Sequence, residues 1–507
     1  MRRIDCSGRS TRRKTASLAL APGTVGRVEF TDLLANGQAV GRIEGLVVFA
    51  SGPLPGERAK IRIVEVKAKY AVGEVLGYET KSSLRATPFC PAFGVCGGCQ
   101  VQHMTYPAQL SWKEQIVRNA LRRIGGFADV KVEHPVGMTF PRQYRNKMSL
   151  VVQPTASGPQ IGFYQQRSHA LVPIDGCPVV LPQLDADIKA LKAASTTPDL
   201  APAFNGVKHA IVRMGAASGQ AVLSLTTDRQ SPTIAQLAPQ LARKIPGVIG
   251  VSNSFEPRNA NAVLGRKMSY AWGSREMEEV IEGVRFRVSP ASFFQVNSEM
   301  VGKIFRFMAP GLQAKRKIVD LYCGAGTFAI FFATRGAQVV GVEENPAAIR
   351  EANMNAELNG VAATATFIAG RVEGAVANEA GKAALRDAEI VFLDPPRKGS
   401  DEATLAAISQ ARVRNIWYLS CNPATLARDL AYLKTQGYAL GVVQPFDMFP
   451  QTGHVETFVT LYRSSEARVE LPDADRAPWA DSIPEWPSDE RFSEHKYPSF
   501  VEREAAE

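Results

Sequence analysis

Cys421 follows the apolar run NIWYLS and is itself followed by Asn-Pro, in WYLSCNPAT. The run reads as a strand, and a proline two residues on suits the first turn of a helix. The thiol is therefore expected at the carboxyl end of a strand, beside a helix N-terminus whose dipole favours the thiolate. A thiolate in such a place can add to an electron-poor carbon and later depart from it. An addition and elimination of this kind needs a base to remove a proton in between. The segment DMFPQTGHVE offers three candidates, Asp447, His454 and Glu456, and chemistry alone does not choose among them.

Two further carboxylates fall where a ligand is bound. DLYCGAGTF follows an apolar strand and opens a helix, and Glu343 stands near the end of the next strand, AQVVGVE. Gly324 and Gly326 let the backbone approach a ligand, and a carboxylate after the second strand can accept both hydroxyls of a ribose. The loop alone is compatible with a dinucleotide. The leading Asp320 and the missing third glycine favour S-adenosylmethionine. LDPPRKG then aims Asp394 from a stiff double-proline turn into the crevice at the strands' carboxyl ends. An adenine amino methyltransferase would place an aromatic residue after such prolines to stack a flipped base; here Arg397 occupies that position.

The elements that must hold these residues alternate strand and helix from KIVDLY through NIWYLS, which implies a doubly wound, mostly parallel sheet. The expected fold class is α/β: a Rossmann-like C-terminal domain over 286–463, a mixed α+β central domain over 86–285, and an N-terminal β-barrel over 22–85. The barrel is read from short alternating segments such as GTVGRVEF and ERAKIRIVEVK, split by Gly and Pro. Lys60, Arg62, Lys67 and Lys69 recur at near-alternate positions, so several can share one face. A helix is expected over 106–125, ended by Gly125 and Gly126. Residues 1–21 form a basic arm, and 464–507 an acidic, proline-rich tail holding Trp479 and Trp486.

The chain of 507 residues carries a formal charge of +10, but 466–507 hold 12 acidic and 5 basic residues, which leaves +17 on residues 1–465. A surplus of that size suits a polyanion such as RNA. The sequence lacks an apolar run long enough to span a bilayer and an apolar signal-peptide core, so a cytoplasmic protein with no membrane partner and no evident obligate protein partner is expected. Seven cysteines argue for ligand or catalytic thiols rather than a disulfide framework. Cys90, Cys96 and Cys99 stand in the Gly-rich loop CPAFGVCGGC, and Cys177 in GCPV. Four thiolates suit zinc or an iron–sulfur cluster equally well. The spacing differs from that of radical S-adenosylmethionine enzymes.

LDPPRKG, YLSCNPAT and FDMFPQTGHVE, in that order and preceded by SFFQVN, resemble the RNA 5-methyluridine methyltransferase family. Carbon 5 of uracil is a poor nucleophile, and methylating it requires a soft nucleophile at carbon 6 and then a base for the carbon 5 proton. The resemblance makes Cys421 the nucleophile and Glu456 the base, with Gln295, Tyr322, Glu343 and Asp394 as cofactor or substrate contacts, Thr327 and Arg371 near further ones, and His454 structural. LPGERAKIRIVEVKAKYAVGEV resembles the TRAM domain. The cysteines resemble the site that holds a 4Fe–4S cluster in the same branches, with zinc as the alternative. Carrying both accessories resembles the 23S ribosomal RNA branch; a transfer RNA uridine-5 methyltransferase is the alternative substrate class. An RNA cytosine-5 methyltransferase would be expected to have a cysteine where Arg397 stands, and a non-catalytic RNA-binding or chaperone protein would leave Cys421 without a use.

Overall fold

A computed structural model describes residues 20–463, except 157, 167, 258, 260 and 261, together with Leu471. Nearly all of the basic arm, Cys6, and the tail with Trp479 and Trp486 lie outside the described residues. The chain folds as two compact units, one running to Thr87 and including His103–Thr105, the other made of Pro88–Gln102 and the chain from Tyr106 onward.

The first unit is a closed barrel of β1 (Val25–Leu33), β2 (Gln38–Ile43), β3 (Leu46–Ser51), β4 (Arg58–Val66) and β5 (Tyr70–Thr80), in the order β1-β2-β3-β5-β4. In β4 the two-residue period is plain: Ala59, Ile61 and Ile63 are fully buried, while Arg58, Lys60 and Arg62 point to solvent. The expected cationic face is partly neutralised by neighbouring carboxylates. Arg58 pairs with Glu29 at 3.2 Å, Arg62 with Glu74 at 3.4 Å and Lys67 with Glu65 at 2.6 Å. Lys60 and Lys69 have no carboxylate partner among the described residues.

The second unit begins with the cysteine loop and α1 (Tyr106–Arg123). A seven-stranded sheet follows, made of β6 (Lys147–Thr155), β7 (Gly158–Tyr164), β8 (Leu171–Pro173), β9 (His209–Met214), β10 (Ala221–Thr226), β11 (Val248–Phe255) and β12 (Lys267–Gly273), in the order β12-β11-β10-β9-β6-β7-β8. Helices α2 (Pro182–Thr196) and α3 (Pro232–Lys244) cover one face, where Met148, Leu150, Val212, Leu223 and Leu241 share a core. The hairpin β13 (Met277–Ile281) and β14 (Val284–Val288) leads to α4 (Ser298–Met308).

The C-terminal sheet runs β17-β16-β15-β18-β19-β21-β20. Its strands are β15 (Lys317–Leu321), β16 (Gln338–Glu343), β17 (Ala365–Ala369), β18 (Ile390–Leu393), β19 (Asn415–Ser420), β20 (Tyr438–Phe446) and β21 (Glu456–Arg463). The first five are parallel, and β21 returns antiparallel between β19 and β20. Its connecting helices are α5 (Thr327–Thr334), α6 (Pro346–Leu358), α7 (Val372–Ala377), α8 (Glu379–Asp387), α9 (Glu402–Gln410) and α10 (Pro423–Thr435).

Burial on both faces explains the near-continuous apolar runs of β18 and β19. Ile318, Phe392, Trp417 and Phe458 face a core shared with α4 and α5. Val319, Leu393, Tyr418 and Val459 face one shared with α10 and with Val117 and Leu121 of α1. Burying each of these side chains contributes about 1.5–3 kcal/mol. Strand order reverses between β15 and β18, so the loops leaving their carboxyl ends diverge and open a crevice between them.

Candidate active site

That crevice is a cavity of about 500 Å³. Its walls come from the carboxyl ends of β15, β16, β18 and β19, together with the SFFQ segment before α4 and the segment entering β21. The loop after β15 turns on left-handed backbone at Tyr322 (φ 68°), Gly324 (φ 54°) and Gly326 (φ 84°). A Cβ on Gly324 would meet nothing within 4 Å, so the glycine leaves open cavity there, whereas one on Gly326 would lie 2.9 Å from Ile330 Cδ1. Two backbone donors orient the Glu343 carboxylate, Gly324 N at 3.2 Å and Asn345 N at 2.9 Å. The Tyr322 hydroxyl lies 3.0 Å from Ser400 Oγ.

The double-proline turn is held from α10. Asn422, the residue that caps this helix, donates from Nδ2 to Arg397 O at 2.9 Å, and Arg428 donates to Lys398 O at 3.0 Å and Ser400 O at 3.1 Å. The turn brings Asp394 and Arg397 to the cavity wall alongside Cys421, His454 and Glu456. Arg397 Nη2 lies 3.4 Å from His454 Nε2.

The electrostatics of this group overturn one expectation. The Cys421 thiol stands next to the α10 N-terminus as anticipated, yet its pKa is pushed up to about 11 by burial, then by the negative charges of Glu456 and Asp394, with Arg397 opposing. A helix terminus acts over one turn, and here burial, with two carboxylates from other strands adding to it, outweighs it. Glu456 is 3% exposed, and its Oε2 has no hydrogen-bond partner among the described residues. Burial and Asp394 raise it to about 8, and burial raises Asp394 to about 7. His454 moves the other way, to about 4, through burial and the nearby Arg397, Lys113 and Arg145.

Gln295, Tyr322, Glu343, Asp394, Cys421 and Glu456 thus share one cavity, together with Arg371 and His454. Thr327 is buried at the start of α5 and is not among the residues that line it. Asp447 is removed from the cavity in a fully buried ion pair with Lys113. The sequence reading missed Phe293, which lines the cavity while 73% exposed, and Phe449, whose ring packs edge-on against His454. The doubled aromatic of SFFQ is the signal that was available for Phe293: Phe294 is buried, which turns its neighbour outward.

The four expected ligand cysteines are free thiols drawn into one locality. Cys177 is raised to about 12 by burial and then by the charges of Cys99, Cys90 and Cys96; Cys99 is raised to about 11 by burial, Cys96 and Cys90. Gly98 N donates to Cys96 Sγ at 3.4 Å. Among the described residues no group of three or more Cys, His, Asp or Glu is closed tightly enough to hold a metal ion. The described residues also contain no helix long and apolar enough to cross a membrane.

Comparison with known proteins decides the family. The model for tRNA (uracil-5-)-methyltransferase matches residues 276–464, and that for the TRAM domain matches 20–76. An RNA methyltransferase of Bacillus cereus is 35% identical over 445 residues, 86% of this chain and 96% of the relative. The chain belongs to the RNA (uracil-5-)-methyltransferase family. A family relative from Gloeobacter violaceus, also named an RNA methyltransferase, is 37% identical over 456 residues, 88% of this chain and 98% of the relative. The crystal structure of Pyrococcus abyssi tRNA (uracil-54, C5)-methyltransferase in complex with S-adenosyl-L-homocysteine superposes with a TM-score of 0.67 at 26% identity, covering 86% of this chain and 100% of that one. The methyltransferase fold and its S-adenosylmethionine dependence follow from these matches.

Proposed function

We propose that this family member methylates carbon 5 of a uridine in 23S ribosomal RNA, with Cys421 as nucleophile and Glu456 as base. The observation that carries the reading is the meeting of one thiol with two carboxylates of raised pKa, Glu456 and Asp394, in the cavity at the switch point of the sheet. The geometry also favours Glu456 over the other candidates. His454 holds a proton too weakly, and Asp447 is locked against Lys113. A group titrating near the working pH is the better base.

Gln295, Tyr322, Glu343 and Asp394 would hold S-adenosylmethionine and orient the base, with Glu343 aimed by its two backbone donors. Bound there, the cofactor supplies an electrophilic methyl group. Cys421 Sγ adds to carbon 6 of the uracil, and the electron pair of the carbon 5–carbon 6 bond becomes available at carbon 5 for the methyl. Glu456 then takes the carbon 5 proton, the double bond re-forms, and the carbon 6–sulfur bond breaks to release Cys421 as thiolate. Arg397 is the cation that eases thiolate formation.

Residues 22–85 would serve as the RNA-binding barrel, 86–285 as the central domain and 286–463 as the catalytic domain. Cys90, Cys96, Cys99 and Cys177, which do not form a closed metal site in this structure, are the donor set that would take a 4Fe–4S cluster, and zinc also suits four thiolates; iron and acid-labile sulfide analysis tells the two apart. The combination of barrel and cysteine cluster supports the ribosomal substrate. The tRNA enzyme that superposes over its whole length supports transfer RNA as the second reading. Labelled methyl transfer to separate, unmodified 23S ribosomal RNA and transfer RNA pools, followed by nucleoside analysis, tests both. The expected product is 5-methyluridine in ribosomal RNA, with none from Cys421→Ala even though that variant still binds S-adenosylmethionine. Product in transfer RNA alone changes the substrate; methylation at the normal rate by Cys421→Ala defeats the mechanism; no methylation of any RNA leaves an RNA-binding protein.

A further inference from the structure

On the face of the central sheet away from α2 and α3, three cations stand together without an ion-pair partner among the described residues, although Glu351 and Glu279 act on Arg213 from further off. Lys147 opens β6, and its register partner across the ladder is Arg213 of β9. Arg145 precedes Lys147 by two residues and donates from Nε to Lys147 O at 3.0 Å. Like charges placed directly opposite across a ladder are destabilising. Arg213 is only 1% exposed; it donates to Ser292 O at 3.1 Å and Phe294 O at 3.4 Å, and its Nε has no partner. Among the described residues none of the three has a carboxylate within ion-pair distance, and the Lys147 ammonium has no hydrogen-bond partner.

The cluster also borders the catalytic cavity. Asn146, between the two basic residues, donates from Nδ2 to the carbonyl of Gln295, a cavity residue, at 3.2 Å. Arg213 holds the carbonyl of Phe294 between the cavity residues Phe293 and Gln295. Charge taken out of water without an ion-pair partner is costly, and a fold that keeps a buried Arg213 beneath two partly exposed cations beside a substrate cavity is set up for an anion.

We infer that Arg145, Lys147 and Arg213 form a phosphodiester-binding site at the edge of the catalytic cavity, which takes an RNA phosphate next to the uridine that enters it. The site rests on the proposed RNA uridine reading. Lys147 and Arg145, both partly exposed, reach the phosphate. Arg213, sealed beneath them, adds its charge and fixes the Ser292–Phe294 segment. Burial and the two guanidiniums pull Lys147 down to about 7, so the free protein holds this ammonium weakly at neutral pH and a bound phosphate stabilises it.

The test uses the full-length protein, an RNA oligonucleotide containing its target uridine, and the same oligonucleotide with one flanking linkage at a time made a neutral methylphosphonate. Lys147→Met is expected to melt no lower than the wild type, since it removes a half-buried ammonium that faces another cation across the ladder, while RNA affinity falls about tenfold and the salt slope of binding drops by about one. One methylphosphonate should weaken the wild type by a similar factor and Lys147→Met not at all, with Lys147→Arg retaining RNA affinity. Unchanged RNA affinity and salt slope in Lys147→Met overturn the proposal. So does a loss of S-adenosylmethionine affinity with RNA affinity intact, which would assign the anion to the cofactor's carboxylate. If the wild type makes no 5-methyluridine yet Lys147→Met shows the expected RNA defect, the phosphate site stands and the uridine reading falls.

Discussion

Cys421 sits where a thiolate is hard to make, and Glu456 sits where a proton is hard to lose. Both follow from one arrangement: β18, β19 and β21 bring two carboxylates and a thiol into one cavity, with Arg397 acting on both. Glu456→Gln removes the base while leaving the nucleophile. We expect addition and methylation to proceed and turnover to fall by about 10²- to 10⁴-fold, with a denaturant-resistant protein–RNA adduct accumulating on gels. Absence of that adduct would remove Glu456 from the role of base. The same variant carries a stability signature. An unfolded glutamate releases its proton near 4.5, but the folded one keeps it to about 8, so between those values the folded state binds more protons and loses stability as pH rises. The melting temperature of Glu456→Gln relative to wild type should therefore climb between pH 5 and pH 9, and a flat difference would deny the raised pKa. These residues were legible in sequence because polar types at the ends of apolar strands stand out. The acidity of Cys421 was not, because the helix beside it is a neighbour in sequence, whereas its burial and the carboxylates that oppose it arise only in space.

The segment from Asp447 to His454 carries the approach to Glu456, and several elements hold it. Helix α1 supplies Lys113, which pairs with Asp447 and donates to Phe449 O at 3.0 Å, and Gln109, which exchanges hydrogen bonds with Gln451 at 2.9 and 3.0 Å. Gln100 N and Val101 N, directly after Cys99, both donate to Gln451 O, at 3.0 and 3.1 Å. Tyr144 donates to Pro450 O at 3.0 Å, and Gln451 itself holds a left-handed φ of 71°. Such a loop stays put because these polar groups are answered from outside it. Lys113→Met should cost about 3–5 kcal/mol of stability in denaturant unfolding, because Asp447 is left charged and buried. The double variant Lys113→Met with Asp447→Leu should recover most of that loss; no recovery would mean that packing, not charge, sets the cost. The alternation of strand and helix made the C-terminal sheet readable from Lys317 to Ser420. The parallel pairing of β10 with β11 in an otherwise antiparallel sheet, and the return of β21 between β19 and β20, depend on non-local pairing that no local pattern encodes.

Across the whole chain, positive charge is divided between two places with different physics. In the central sheet Arg145, Lys147 and Arg213 are held without an ion-pair partner among the described residues beside the cavity, whereas on the barrel most outward cations are matched by carboxylates and only some remain available. Exposed pairs of the second kind contribute little to stability. An exposed lysine without a partner can still release counterions when it meets a phosphate. The barrel's part in RNA binding should therefore rest on Lys60 and Lys69 more than on Arg62 or Lys67, although all four looked alike in sequence, where Glu74, the neighbour of Arg62 across the ladder, is invisible. Lys60→Glu with Lys69→Glu should weaken RNA binding and lower its salt slope by about one to two, leave the barrel's melting unchanged because both side chains lie in solvent, and leave kcat at saturating RNA as it was. Arg62→Glu with Lys67→Glu, which places like charges beside Glu74 and Glu65, should instead lower the melting temperature. Equal loss of RNA affinity in the two double variants would show that binding follows net charge alone. A loss confined to the first would show that pairing on the barrel surface decides which cations the RNA meets.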